Sequence, residues 1–218
     1  MSSESSTKRS GRRPGPTTTR DAIADAARRQ FAELGYDRAT LRGIAGEAGV
    51  DAALVVRFHG SKDALFRAVM ALPPAVAEGI AGLAEGPTAT VGRRLAEVVV
   101  GMLEDPRSRS VVLGRIRSAA SHPDAAALVR EMVTRDVGRL VAALTDDEPE
   151  TRAVLVGSQV VGLALARHVV RVEPLASLPA ADVIDYIAPV FQHYLVGTLR
   201  ADELRRAPGT PGGSKLRR

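Results

Sequence analysis

The chain has 218 residues, 45% hydrophobic, 3% aromatic and 25% charged, with 20 glycines, 13 prolines and no cysteine. This is globular usage, and the missing cysteine excludes disulfides, thiolate metal sites, iron–sulfur clusters and cysteine nucleophiles. The net charge of +5 is uneven: residues 1–70 hold 12 Lys/Arg against 8 Asp/Glu, residues 71–199 hold 12 against 15, and residues 200–218 hold 6 against 2. Basic ends on a mildly acidic body suit nucleic-acid contact at one end. No segment approaches the roughly 18 uninterrupted apolar residues of a membrane span, and no secretory apolar run opens the chain. The expectation is a soluble, cytoplasmic protein with no membrane partner.

Residues 1–16 are polar and basic without periodicity, which predicts a disordered basic arm. Thr18 with Asp21 reads as a capping box, followed by Ile23, Ala26, Ala27, Phe31 and Leu34 at helical spacing and by Gly35 as the C′ residue. Thr40 caps a second, short helix carrying Leu41, Ile44, Ala45 and Ala48. Gly49 breaks it, and Asp51 caps a third helix through Arg57. Two short helices around a tight glycine turn make a helix-turn-helix candidate. Ser61 caps a further helix with Leu65, Phe66 and Val69, which Pro73-Pro74 stops or kinks. Gly43 and Gly46 weaken the second helix by about 1 kcal/mol each relative to Ala.

Beyond residue 74, helical segments are expected at about 75–84, 88–103, 108–120, 124–143, 150–172 and 181–200, separated by Gly- and Pro-containing breaks. No stretch shows strand alternation. The last two segments are the longest and most apolar, through residues such as Val156, Val160, Leu163, Ile187, Phe191 and Leu195. A helix apolar on more than one face needs a second burial surface, either the domain core or a dimer interface.

Arg20-Asp21-Ala22-Ile23, Phe31-to-Tyr36, Ala39-Thr40-Leu41-Arg42, Ile44-Ala45, Ala48-Gly49-Val50 and Phe58-to-Phe66 resemble, piece by piece, the N-terminal domain of the TetR family of transcriptional regulators. The resemblance is dense over a quarter of the chain. Gly162-to-Arg167, Val172-to-Leu175 and Ile187-Ala188-Pro189 are similar to C-terminal domains of some members. It implies an all-α fold, with an N-terminal three-helix DNA-binding domain containing the helix-turn-helix and a larger helical ligand-binding and dimerisation domain. The expected boundaries are 1–16 for the arm, 17–60 for the DNA-binding domain, 61–200 for the effector and dimerisation domain, and 201–218 for a flexible basic tail. The implied protein is a homodimer that binds a palindromic double-stranded operator, with half-sites about 34–36 Å apart, as a bacterial repressor released by a small-molecule effector. The alternative is an effector-independent helical DNA-binding structural protein.

On the recognition helix, Arg57 is the strong donor for guanine or phosphate, and Ala52, Ala53 and Val56 suit thymine methyls. Val50, Val55 and Phe58 belong to the small core. Thr40, Arg42, Ser61 and Lys62 sit at helix starts that favour phosphate. By the resemblance, Tyr36, Thr40 and Lys62 are backbone-clamping positions, and Arg12 and Arg13 of the arm add phosphate or minor-groove contacts. His59 stands where the family most often has Phe, and either packs or reaches a phosphate. Val56 and Arg57 replace residues that are normally aromatic, so no relative's operator can be borrowed.

The effector candidates are Met102, Leu103, Leu113, Ile116, Arg117, Met132, Gln159, Leu163 and Phe191, an apolar set with few polar groups. Gln159 interrupts an apolar helix, where its amide serves either a ligand or a helix–helix contact. His122, His168 and His193 lack metal-ligand spacing, and neither a nucleophile elbow nor a phosphate loop is present. No catalytic, metal or cofactor site is expected.

Overall fold

The structure, a computed structural model, describes residues 16–71 and 74–199. The arm residues 1–15 with Arg12 and Arg13, Pro73, and the tail at 201–218 lie outside the described residues. Among the described residues every regular element is helical: α1 (Pro16–Arg38), α2 (Leu41–Ala48), α3 (Ala52–His59), α4 (Lys62–Val69), α5 (Pro74–Ala81), α6 (Val91–Glu104), α7 (Pro106–Ala119), α8 (Pro123–Glu131), α9 (Gly138–Leu144), α10 (Pro149–Ala164) and α11 (Ala180–Val196). Turns of π-helix occupy Met132–Val137 and Leu165–Val170. The breaks fall where Gly and Pro were expected to place them.

Local chemistry explains the short helices. Thr40 accepts the Gly43 N–H at 3.0 Å, Asp51 that of Ala53 at 2.7 Å, and Ser61 that of Ala64 at 3.0 Å. Each cap satisfies an amide that the helix start would otherwise leave unpaired. Gly49 adopts φ 67° and ψ 32°, a left-handed conformation that only glycine takes without strain, and this turns the chain from α2 into α3. Gly35, expected as the C′ residue, has φ 74° and breaks the helical path before Arg38. The capping-box expectation at Thr18 is corrected, because the helix already runs from Pro16 and Thr18 lies inside its first turn. Proline at a helix start loses no hydrogen bond, so the chain enters the helix earlier than the Thr–Asp signal suggested.

The chain divides into two compact units. The first contains α1 to α4 together with residues 105–129, hence α7 and most of α8. This grouping differs from a division at residue 60. The α7 helix lies along α1, Arg115 donates to the Met70 carbonyl at 2.7 Å, and Tyr36 N–H donates to Ser118 Oγ at 2.9 Å. Arg67 of α4 pairs with Asp124 of α8 at 2.7 Å. Ile23, Phe31, Ile44, Val55, Leu65, Phe66 and Ala125 are completely buried in one cluster. Burial of each large apolar side chain is worth roughly 1.5–3 kcal/mol.

The second unit contains residues 74–104 and 130–199, with α6 packed along α11 and α10 beside both α9 and α11. Gly92 permits close approach: a Cβ there would lie 2.6 Å from the Ala188 carbonyl oxygen. The Gln192 side chain accepts the Gly92 N–H at 2.8 Å and donates to the Thr88 carbonyl at 2.9 Å. Pro149–Val170 spans 22 residues at a mean hydropathy of 1.6, long and apolar enough to cross a membrane by length and composition. It is not an uninterrupted apolar run: Arg152, Ser158, Gln159 and Arg167 fall within it. Both arginines are buried in protein contacts. Arg152 pairs with Asp147 and donates to the Tyr194 carbonyl at 3.0 Å; Arg167 donates to Glu104 at 2.9 Å and to the Leu175 carbonyl at 2.6 Å.

Replacing Gly92 by Val forces a branched side chain against the α11 backbone, which has no flexible end to yield. The variant is expected to lose about 2–3 kcal/mol of stability. Urea unfolding followed by circular dichroism measures the loss.

Candidate nucleic-acid interface

The recognition helix α3 has two faces. Val55 is fully buried, while Ala52 and the half-buried Val50 and Phe58 pack on the same cluster. Ala53, Val56 (47% exposed) and Arg57 face outward. Arg57 also borders a groove of about 840 Å³ lined by residues of α1, the α2–α3 turn and α3, including Thr18, Gly49, Asp51 and Leu54. Arg20 of α1 donates to the Phe58 carbonyl at 3.4 Å, tying the end of α3 to α1. Arg29 pairs with Glu47 at 2.5 Å and links α1 to α2.

The flanking phosphate-type residues gather at two helix starts. Thr40 and Arg42 are exposed at the start of α2, and Ser61 and Lys62 open α4. Lys62 Nζ donates to the Asp37 carbonyl at 3.4 Å and lies 4.2 Å from the centre of the Tyr36 ring. Burial pulls its ammonium below the ordinary lysine value, against the opposing pull of Asp37 and Asp63. The Tyr36 hydroxyl donates to Asp63. Burial first, and the Asp63 hydrogen bond second, push the phenol up to about 12. His59 is half-buried at the end of α3 with its Nε2 enclosed and without a hydrogen-bond partner among the described residues. Burial, then the charge of Arg20, holds its imidazole below the ordinary value.

The effector candidates are divided between the two units. Leu113, Ile116 and Arg117 lie on α7 in the first unit, where Arg117 donates to the Ala32 carbonyl. Met102, Leu103 and Phe191 are buried in the core of the second unit, and Met132 is buried at the first π turn. Gln159 and Leu163 share a groove of about 370 Å³ between α10 and α11 with Ser158, Gly162, Tyr186 and Ile187. Tyr186, 72% exposed at this groove, escaped the sequence reading. Its signal was an aromatic ring in a chain that has only three tyrosines. Helical periodicity identifies an apolar face, not whether a neighbouring helix or a cavity covers it.

A capped helix, a left-handed glycine and a second helix with one buried and one exposed face define a helix-turn-helix DNA-binding module. Residues 23–69 match "Bacterial regulatory proteins, tetR family", and residues 89–195 match "Tetracyclin repressor-like, C-terminal domain". A TetR-family regulator from Streptomyces coelicolor A3 is 34% identical, covering 85% of this chain and 99% of that one at a TM-score of 0.58. The chain belongs to the TetR family of transcriptional regulators. The HTH-type transcriptional repressor AcnR of Corynebacterium glutamicum is 37% identical over 91 residues, which are 42% of this chain and 44% of that repressor. The matched stretch thus spans less than half of the curated relative's length. NalD of Pseudomonas aeruginosa, the secondary repressor of the MexAB-OprM multidrug efflux pump, shares the fold at 21% identity and a TM-score of 0.59, covering 84% of this chain and 98% of that one.

The Tyr36 phenol generates a titration prediction. Its value lies above the ordinary 10.0 of a free tyrosine, so the native state holds the proton more tightly than the unfolded chain. The stability this contributes is complete below pH 10 and is lost as the pH rises from about 10 to about 12. Ultraviolet absorbance after rapid pH jumps is expected to show one of the three tyrosines ionising late. Tyr36→Phe removes that phase.

Proposed function

We propose that this chain is a ligand-responsive transcriptional repressor that acts in the cytoplasm as a homodimer on a palindromic operator. The observation that carries the reading is the outward face of α3, where Arg57 stands beside Ala53 and Val56, flanked by capped helix starts carrying Thr40, Arg42, Ser61 and Lys62. Arg57 reads a guanine edge through its planar fork, and the small apolar residues contact thymine methyls. The flanking groups, with Tyr36, fix register on the phosphates. Arg12 and Arg13 extend the phosphate contact from the arm, and half-buried His59 supports the end of the recognition helix.

The second copy covers the groove between α10 and α11. Tyr186 is exposed there, and a side chain added at Gly162 would meet no atom within 4 Å. An exposed apolar face of this kind marks an association surface. The effector of this reading is a small, largely aliphatic molecule.

Two measurements test this reading. Sheared DNA from the source genome is incubated with the protein, and bound fragments are sequenced at two salt concentrations. A palindromic motif that persists at higher salt is expected, and Arg57→Ala should weaken binding to it by about ten- to a hundredfold. Enrichment without a motif, lost as salt rises, would instead mark backbone-only binding by an architectural protein. Gly162→Arg places a charged side chain in open space in the monomer but in the path of a partner. Sedimentation should therefore show a folded monomer at concentrations where the parent chain is a dimer.

A further inference from the structure

Tyr36 is held from every side. Its backbone N–H donates to Ser118 Oγ at 2.9 Å, and its hydroxyl donates to Asp63. The imidazole of His122, in the turn between α7 and α8, stacks on its ring with centroids 3.6 Å apart and planes within 5°. A ring that close fills one face, so the Lys62 ammonium, 4.2 Å from the ring centre, occupies the other. Phe66 meets the edge at 5.3 Å. His122 Nε2 is buried, has no hydrogen-bond partner among the described residues, and stops 3.6 Å from Asp63 Oδ1.

A phenol has one proton to donate. While Tyr36 gives it to Asp63, that hydroxyl offers a DNA phosphate only its lone pairs, which repel. Turning the hydroxyl to a phosphate deprives the Asp63 carboxylate, 48% exposed, of the Tyr36 donor on its protein side. The enclosed Nε2 lies 3.6 Å from that same carboxylate, and the tautomer that carries its proton there can donate to it after a small ring movement. We propose that His122 is a positioning residue for operator binding: its Nε2–H takes over Asp63 when the Tyr36 hydroxyl turns to a phosphate. One hydrogen bond breaks, one forms on the protein and one forms to DNA, and no proton changes owner. Asp63 thereby keeps one hydrogen-bond donor in both states, with Lys62, Asp37, Asp124 and Arg67 as the surrounding charges.

The proposal rests on the reading that Tyr36 contacts operator phosphate, and two variants separate its elements. His122→Phe keeps the stacking ring and removes the donor. His122→Gln keeps a donor and removes the stack. Binding is measured by fluorescence anisotropy on a duplex of about 30 base pairs carrying the recovered motif, and folding by thermal melts. Operator affinity is expected to follow the donor: His122→Phe falls about tenfold, while His122→Gln stays within about twofold of the parent chain. The deficit of His122→Phe should vanish in a Tyr36→Phe background, which has no hydroxyl to redirect; a loss arising from general destabilisation would persist there. On the parent chain, the ¹⁵N–¹H signal of His122 should show a protonated Nε2 that gains a hydrogen bond when the duplex is added. Unchanged affinity in His122→Phe, or an equal loss in both Tyr36 backgrounds, overturns the proposal while leaving the repressor reading intact. Failure of the parent chain to select any motif overturns the repressor reading itself.

Discussion

An eight-residue helix cannot hold itself together in water, and the recognition helix α3 is eight residues long. Its existence depends on borrowed order: Val55 is sunk in the core of the first unit, Asp51 caps the entry, and Arg20 grips the Phe58 carbonyl at the exit. These constraints leave Ala53, Val56 and Arg57 free on the outer face, so the features that stabilise the helix also aim its reading surface. The same logic applies to α2 and α4, each eight residues, capped by Thr40 and Ser61 and anchored by Ile44 and by Leu65 with Phe66. The tertiary core supplies the order that α2, with two glycines in its interior, lacks by propensity.

The first unit is more than a DNA-binding head with a tail of helices. Residues 105–129 return to it from later in the chain, and α7 lies along α1 with buried Arg115 and Ser118 among its contacts. A buried arginine is retained only where its charge and donors find partners, and Arg115 finds one in the Met70 carbonyl. The returning segment also brings His122 against Tyr36 and Asp63. The corner of the module around Tyr36 is therefore built by residues more than 80 positions apart in the chain, as the Tyr36–Ser118 hydrogen bond shows.

In the second unit, packing and polarity are arranged differently. The α6–α11 contact is close because Gly92 has no side chain, and Gln192 uses that proximity to satisfy backbone groups at both Gly92 and Thr88. Arg152 and Arg167 are buried yet fully engaged, so the apolar helix that carries them is fastened to α11 and α6 by charged hydrogen bonds as well as by packing. The α10–α11 groove, with Tyr186 at its edge, is left open.

The sequence by itself determined the helical breaks, the three caps at Thr40, Asp51 and Ser61, the glycine turn and the family, because these depend on neighbours within a few residues, while the start of α1 was misplaced by two residues. Thr40, Asp51 and Ser61 cap helices for reasons written in the next three positions, and proline breaks act wherever they stand. The outward face of α3 was legible at Ala53, Val56 and Arg57, whereas Ala52, assigned to the same face, packs on the core cluster. Only the tertiary structure decided that α7 joins the first unit, that Gln159 and Leu163 share a groove with Tyr186, and that His122 stacks on Tyr36. Periodicity states that a helix has an apolar face but carries no label for the partner that face will meet. That choice is made by long-range packing, where many apolar faces compete and shape decides.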